Sequence, residues 1–219
     1  MTWLYLLAAA ALCLAPLAES LPPVPPIGPM IASLAAITDV PNLVSGVILH
    51  TRLYDTIAEV VVFTLASIGV RFLLAGEPAK TSIRAINDAP SVVLCQVGAT
   101  IAALIGVELA LRGHLSPGGG FAAGVAGGTA IGLVLISGAA SLTERLYRRY
   151  RADLWEKAAV IAFVLLSAFA LWGVPLPAGA FGTLASGGWI PLLNLLVALK
   201  VTLGSWAMVQ LFLRYRGLL

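Results

Sequence analysis

From Ile190 to Leu213 the chain carries one ionisable side chain, Lys200, in an otherwise apolar run. A helix crossing the hydrocarbon of a bilayer needs about 20 mostly apolar residues, with a range of roughly 17–25. Further windows of that kind are Met1–Ala18, Thr56–Ala75, Pro90–Leu111, Phe121–Leu142 and Trp155–Val174. Hydrophobic residues make up 60% of the 219 and charged residues 11%. Soluble domains hold about 45–50% and about 25%. A water-soluble core of this size cannot absorb that excess, whereas a bilayer solvates apolar faces directed outward. The expected fold class is an all-α integral membrane protein with about six transmembrane helices.

The basic residues orient such a chain. With six spans, both ends and alternate loops share one side. That side holds Lys80, Arg84, Arg145, Arg148, Arg149, Arg151, Lys157, Arg214 and Arg216; the other holds Arg52 and Arg112. Arg71 lies near a helix end and Lys200 inside a helix. The asymmetry predicts that both termini are cytoplasmic. Before the first window there is no Lys or Arg, so the basic n-region of a signal peptide is missing, although Ala18 and Ser20 form a loose small-residue site. A retained helix is expected there.

The net charge of +3 is topological and carries no nucleic-acid signal. The cytoplasmic run Glu144–Arg151 fits topology setting and contact with anionic lipid. Cys13 and Cys95 sit in apolar runs without metal-ligand spacing. They read as small apolar fillers, and no cofactor or metal is expected. Two loops stand out. Leu21–Pro41 has five prolines between Pro22 and Pro29, then the short apolar run Ile31–Ile37. It reads as an ordered extracytoplasmic segment, too short to span, lying on the membrane or on a partner. Pro175–Gly188 is rich in Gly, Pro and Ala and has no charge; a neighbouring subunit would suit it as cover.

On a helix, Asp55 and Glu59 share a face and Arg52 precedes Asp55 by three. Glu59 falls about one turn inside the extracytoplasmic boundary, where a carboxylate needs pairing or water. It is either an ion-handling site at the mouth of a polar path or a helix-start charge solvated by headgroups. Asp55 is likewise an ion-translocation candidate or a charge that favours the positive helix N-terminus. The stretch Pro41-Asn42-Leu43-Val44-Ser45-Gly46-Val47-Ile48-Leu49, followed by Arg52, Asp55, Thr56 and Glu59, resembles the C-terminal region of the large MrpA subunit of Mrp/Mnh-type Na+/H+ antiporters. It also resembles a small subunit of membrane-bound energy-converting hydrogenases. The resemblance covers about twenty residues. It departs from the family pattern at Leu53 and Ala58, where glycine is usual.

Arg112-Gly113-His114-Leu115-Ser116-Pro117-Gly118-Gly119-Gly120-Phe121 ends one helix and starts another by a tight turn. No P-loop lysine accompanies the glycines, so the loop is not a phosphate cradle. The wording resembles the G-H-x-x-P-G-G-G-F signature of the MnhB/MrpB family, whose members are subunits of the same antiporters. That resemblance extends from about Pro90 to the C-terminus. It departs at Ala122-Ala123-Gly124, where Gln-Gly-Gly or similar is usual. Together the two resemblances imply two modules, 1–89 like the MrpA C-terminal region and 90–219 like MnhB/MrpB.

Gly120, Gly124, Gly128 and Gly132 recur every fourth residue. They predict a smooth stripe for close helix packing. His114, expected at the extracytoplasmic surface, suits either a proton relay or a turn cap. Glu108 and Arg112 are spaced to pair locally, with a role in ion transfer as the alternative. Lys200 lies about ten residues into its helix, roughly 15 Å deep, where a lysine costs about 2.5–3.5 kcal/mol. It should face a cavity or a carboxylate. Glu59, Glu108 and an acid on another subunit are the candidate partners, and its role is either ion translocation or a structural ion pair.

The resemblance implies a non-catalytic subunit of a multi-subunit cation/proton antiporter-type complex in a prokaryotic plasma membrane. Its expected partners are other membrane subunits, the lipid bilayer, H+ and Na+; nucleic acid is not among them. A scaffold subunit of an energy-converting hydrogenase or related redox-driven complex is the alternative. A self-sufficient transporter would show paired broken helices in internal repeats, and a membrane enzyme would show a nucleophile with its base or a metal cluster. The sequence displays neither.

Overall fold

Charge placement and helix punctuation set the element boundaries in the computed structural model, which describes Ala10 and residues 27–79 and 85–217. The chain divides into two compact units, Met1–Ser33 and Leu34–Leu219. The expected span Met1–Ala18, apart from Ala10, lies outside the described residues, as do Lys80 and Arg84.

The helices are α1 (Ile27–Thr38), α2 (Leu43–Gly46, running on as a π-turn over Val47–Thr51), α3 (Leu53–Leu74), α4 (Ala89–Arg112), α5 (Gly120–Val134), α6 (Ala140–Arg149), α7 (Ala152–Leu171) and α8 (Trp189–Arg216). Five segments are long and apolar enough to cross a bilayer: α3, α4, α5 with α6 taken as one span, α7 and α8. The segment expected to be too short to span is longer than its apolar run suggested. Helix α1 begins at Ile27 and turns through 72° into Leu43–Thr51, and this bent pair counts as a broken span or a re-entrant loop.

Local chemistry explains several boundaries. Asp88 caps α4 by accepting from Ser91 N at 3.1 Å, with Pro90 in the first turn. Those bonds hold the Asp88 carboxyl below its usual range. At the start of α5, Gly118 and Gly119 have φ of 141° and 128°, which only glycine adopts without strain. The window expected as one helix, Phe121–Leu142, is broken. Ser137 and Gly138 leave helical geometry inside Leu135–Ala139, and Ile86 N donates to the Ile136 carbonyl at 3.0 Å. Ser-Gly pairs are a common cause of such kinks.

Helix α8 packs against α5, α7, α3 and α4. In its most apolar window 44% is buried, against 11–22% in the other spans, so α8 is the central helix of the larger unit. Its Ile190, Leu193, Val197 and Val201 join Val40, Leu49, Leu53, Val60 and Phe163 in the core. The outward faces of α3, α4 and α7 carry exposed Val62, Phe72, Leu94, Leu104 and Ile161. That inversion suits a lipid or subunit environment.

Candidate functional site

Lys200 is 1% exposed and Glu156 6%. Lys200 Nζ lies 2.5 Å from Glu156 Oε1, joining α8 to the first turns of α7. Arg71, near the end of α3, has Nη2 3.9 Å from Glu156 Oε2. The ammonium also sits 5.1 Å from the centre of the Phe63 ring, a cation–π distance. A cavity of about 310 Å³ adjoins the pair, walled by Thr64, Ser67, Arg71, Val160 and Ile161. Gly204 lets Phe63 and the ion pair approach the α8 backbone closely. A Cβ there would lie 2.6 Å from Phe63 Cε1, 3.2 Å from Glu156 Oε1 and 3.3 Å from Lys200 Nζ.

The arrangement corrects the sequence expectation for the lysine's partner. Neither Glu59 nor Glu108 is the carboxylate; Glu156 is. Sequence reasoning passed over Glu156 because it borders the apolar window beside Lys157, where a charge reads as an interfacial residue. The usable signal was its antiparallel setting, since α7 starts at the end where α8 finishes.

A second polar centre gathers the two sequence motifs. The Asn42 side chain donates to the Gly113 and Ser116 carbonyls, each at 2.7 Å. Its Oδ1 accepts from Val44 N at 3.2 Å, capping α2. Ser45 Oγ donates to Gly113 O at 2.6 Å. From α8, Asn194 Nδ2 donates to Leu109 O at 3.2 Å and Ala110 O at 2.7 Å, satisfying last-turn carbonyls of α4 that a helix leaves open. A Cβ on Gly113 would meet Asn194 Nδ2 and Leu109 O, both at 2.7 Å. Gly113, Pro117, Gly118, Gly119 and Gly120 thus belong to a joint between helix ends.

His114 was expected at the surface. It is fully buried, with Nε2 3.3 Å from the Thr183 carbonyl. A carbonyl can only accept, so the proton is on Nε2. The imidazole fastens the α4–α5 turn to the 175–188 loop, and burial pushes its pKa below 6.5. That loop has its own turns, including Gly179 N to Ala185 O at 2.9 Å. It exposes Phe181 and Leu184.

The remaining acidic candidates lie apart from the buried pair. Asp55 pairs with Arg52 at the start of α3, both exposed. Glu108 pairs with Arg112 at 3.3 Å on the outside of α4. Glu59 is exposed on α3 and has no ion pair among the described residues. Thr56, from the same motif, donates to Ile48 O in the π-turn at 2.5 Å. Of the glycine stripe, Gly120, Gly124 and Gly128 face α8 at Val197, Val201 and Ser205, whereas a Cβ on Gly132 would meet nothing within 4 Å. Among the described residues no group of three His, Cys, Asp or Glu is placed to hold a metal.

Long apolar helices around a buried Lys–Glu pair define a polytopic α-helical membrane protein with an internal charge site. Residues 90–207 match the family model described as a domain related to the MnhB subunit of Na+/H+ antiporter, and the chain belongs to that family. Among solved structures it is similar to a chain of the membrane-bound sulfane sulfur reductase, an archaeal respiratory membrane complex. The TM-score there is 0.71 at 21% identity, covering 97% of this chain and 96% of that one. It is also similar to part of a chain in the Mrp complex from Dietzia sp. DQ12-45-1b, with TM-score 0.64 and 19% identity. That alignment covers 94% of this chain and 25% of the other. No curated protein gives a match.

Proposed function

We propose that this chain is a non-catalytic membrane subunit of a multi-subunit cation/proton antiporter-type complex. It contributes to H+ and Na+ translocation and to assembly of the membrane arm. The complex sits in a prokaryotic plasma membrane, and the basic side of the chain, including both termini, is cytoplasmic. Residues 1–89 form a module like the MrpA C-terminal region, and residues 90–219 one like MnhB/MrpB. The family match supports the class of complex, and the likeness to chains of two membrane complexes supports the need for companions.

The observation that carries the translocation role is the Lys200–Glu156 pair with Arg71 beside it. Arginine keeps its charge in proteins, so Glu156 is offered two cations. When the carboxylate turns from Lys200 to Arg71, the lysine loses its counter-charge. A buried charge without its partner is costly, so movement of Glu156 between the two cations ties the state of Lys200 to that of Arg71. Glu59 and Asp55 would act at the opposite face, next to a neighbouring subunit.

Removing one partner of a buried ion pair costs about 3–5 kcal/mol, whereas replacing both by apolar side chains is often neutral. Two variants therefore separate the roles. Lys200→Ala is expected to lower both complex yield and cation-driven proton movement in membrane vesicles. Lys200→Met with Glu156→Leu is expected to restore yield but not transport. Full transport by the double variant would make the pair a structural tie only.

A second reading, a scaffold subunit in a redox-driven complex, is favoured by one observation. The likeness to the sulfane sulfur reductase chain runs over nearly the whole of both chains.

A further inference from the structure

The buried pair has a second cavity close by, of about 720 Å³, and Arg71 forms part of the wall of both. Beyond Arg71 the larger cavity is lined by Tyr147, Asp153, Gln210, Arg148 and Arg214. The side chains of Arg148 and Arg214 are 70% and 51% exposed, so the space opens at their end. Gly138, in the break between α5 and α6, forms another part of its wall.

The lining favours water in this space, because the polar side chains of Arg71, Tyr147, Asp153 and Gln210 border it and water fills cavities that are both polar and roomy. One water needs only about 10–15 Å³ of such room. The other direction along α8 is different. Above Lys200 come Val197, Leu193 and Ile190, at most 3% exposed, packed with Phe163, Val60 and Leu53. These residues form a close-packed apolar cluster, beside which Ser167 and Asn194 are also buried.

We propose that the cavity is a one-sided, water-filled inlet that joins the Arg148–Arg214 end of the protein to Glu156 past Arg71. It rests on the reading of Lys200 and Glu156 as an ion relay and adds the side from which that relay is fed. A hydronium ion reaching the inner end gives its proton to the Glu156 carboxylate and leaves as water. The titratable and charged groups facing this route are Arg71 on α3, Glu144, Tyr147 and Arg148 on α6, Asp153, Glu156 and Lys157 on α7, and Lys200 and Arg214 on α8.

The test is thiol labelling of the full chain in its complex, in sealed membrane vesicles of both orientations, with Cys13 and Cys95 replaced by alanine. The probe is a membrane-impermeant, negatively charged methanethiosulfonate. Gln210→Cys is expected to react from the Arg148 side, with labelling lost from the other side. Leu193→Cys is expected to remain unlabelled from both. If Gln210→Cys does not accumulate, Ala207→Cys on the same wall gives the same reading. An unreactive wall, labelling from both sides, or a labelled Leu193→Cys overturns the inlet. Transport by Lys200→Ala is measured in parallel. Unchanged transport there removes the relay whatever the labelling shows, and an unlabelled wall with lost transport removes the inlet alone.

Discussion

His114 illustrates how one residue changes meaning on folding. Its ring is buried between the α4–α5 turn and the 175–188 loop, held by the Thr183 carbonyl, and burial lowers its pKa from 6.5. The unfolded chain then takes up a proton at higher pH than the folded one. The stability from burying a neutral ring is therefore present above about pH 6.5 and is lost as pH falls through the lower folded value. Each pH unit of depression is worth about 1.4 kcal/mol. Thermal unfolding of the purified protein should show a loss of stability from pH 7.5 to pH 5, and His114→Gln should flatten that loss. An unchanged pH profile in the variant would assign the acid sensitivity elsewhere. Lys200 sets the opposite lesson, because its need for a partner was readable from its place in an apolar run while the partner itself, Glu156, was not.

At the scale of elements, the seam between α5 and α8 holds the unit together. A Cβ on Gly124 would collide with Val201 and approach the Ala198 carbonyl to 3.0 Å. Thr202 Oγ1 also reaches the Gly124 carbonyl at 3.4 Å. Overfilling a close-packed site costs about 1–3 kcal/mol or more. Gly124→Leu is expected to reduce the amount of assembled complex on native gels, whereas Gly132→Leu, facing open space, should leave it intact. Equal tolerance of both would remove the seam from the account of assembly. The period-four spacing announced this stripe, but spacing could not say that, among the described residues, a Cβ on its fourth member would meet nothing within 4 Å. The break at Ser137-Gly138 was equally hidden, because an apolar run reads the same whether or not the helix within it is continuous.

For the whole molecule, charge links close the end that carries α6 and the C-terminal part of α8. Arg216 meets Glu77 at 2.9 Å and Arg214 meets Glu144 at 3.8 Å. The opposite end is joined by Asn42, Ser45, Asn194 and the backbone of the 109–116 segment. Between them the outer helices leave most of their apolar surface uncovered. Mild-detergent purification should bring down large multi-span membrane proteins with this chain. Mass spectrometry of that preparation separates the two functional readings: antiporter-like subunits alone favour the first, and a soluble arm with redox cofactors favours the second. A stable, active single chain would overturn both.

The sequence by itself determined the membrane class, the five described spans and the need of Lys200 for a cavity or a carboxylate, because burying charge and exposing apolar surface obey the same rules at every position in a bilayer. It also marked the two motifs whose residues meet at Asn42 and Gly113, without revealing that they meet. Only the tertiary structure decided that Glu156 faces Lys200, that Arg71 lies within reach, that His114 is interior and that α8 is central. Those outcomes depend on which helix faces contact one another across long stretches of chain, and hydropathy along one helix carries no record of its neighbours.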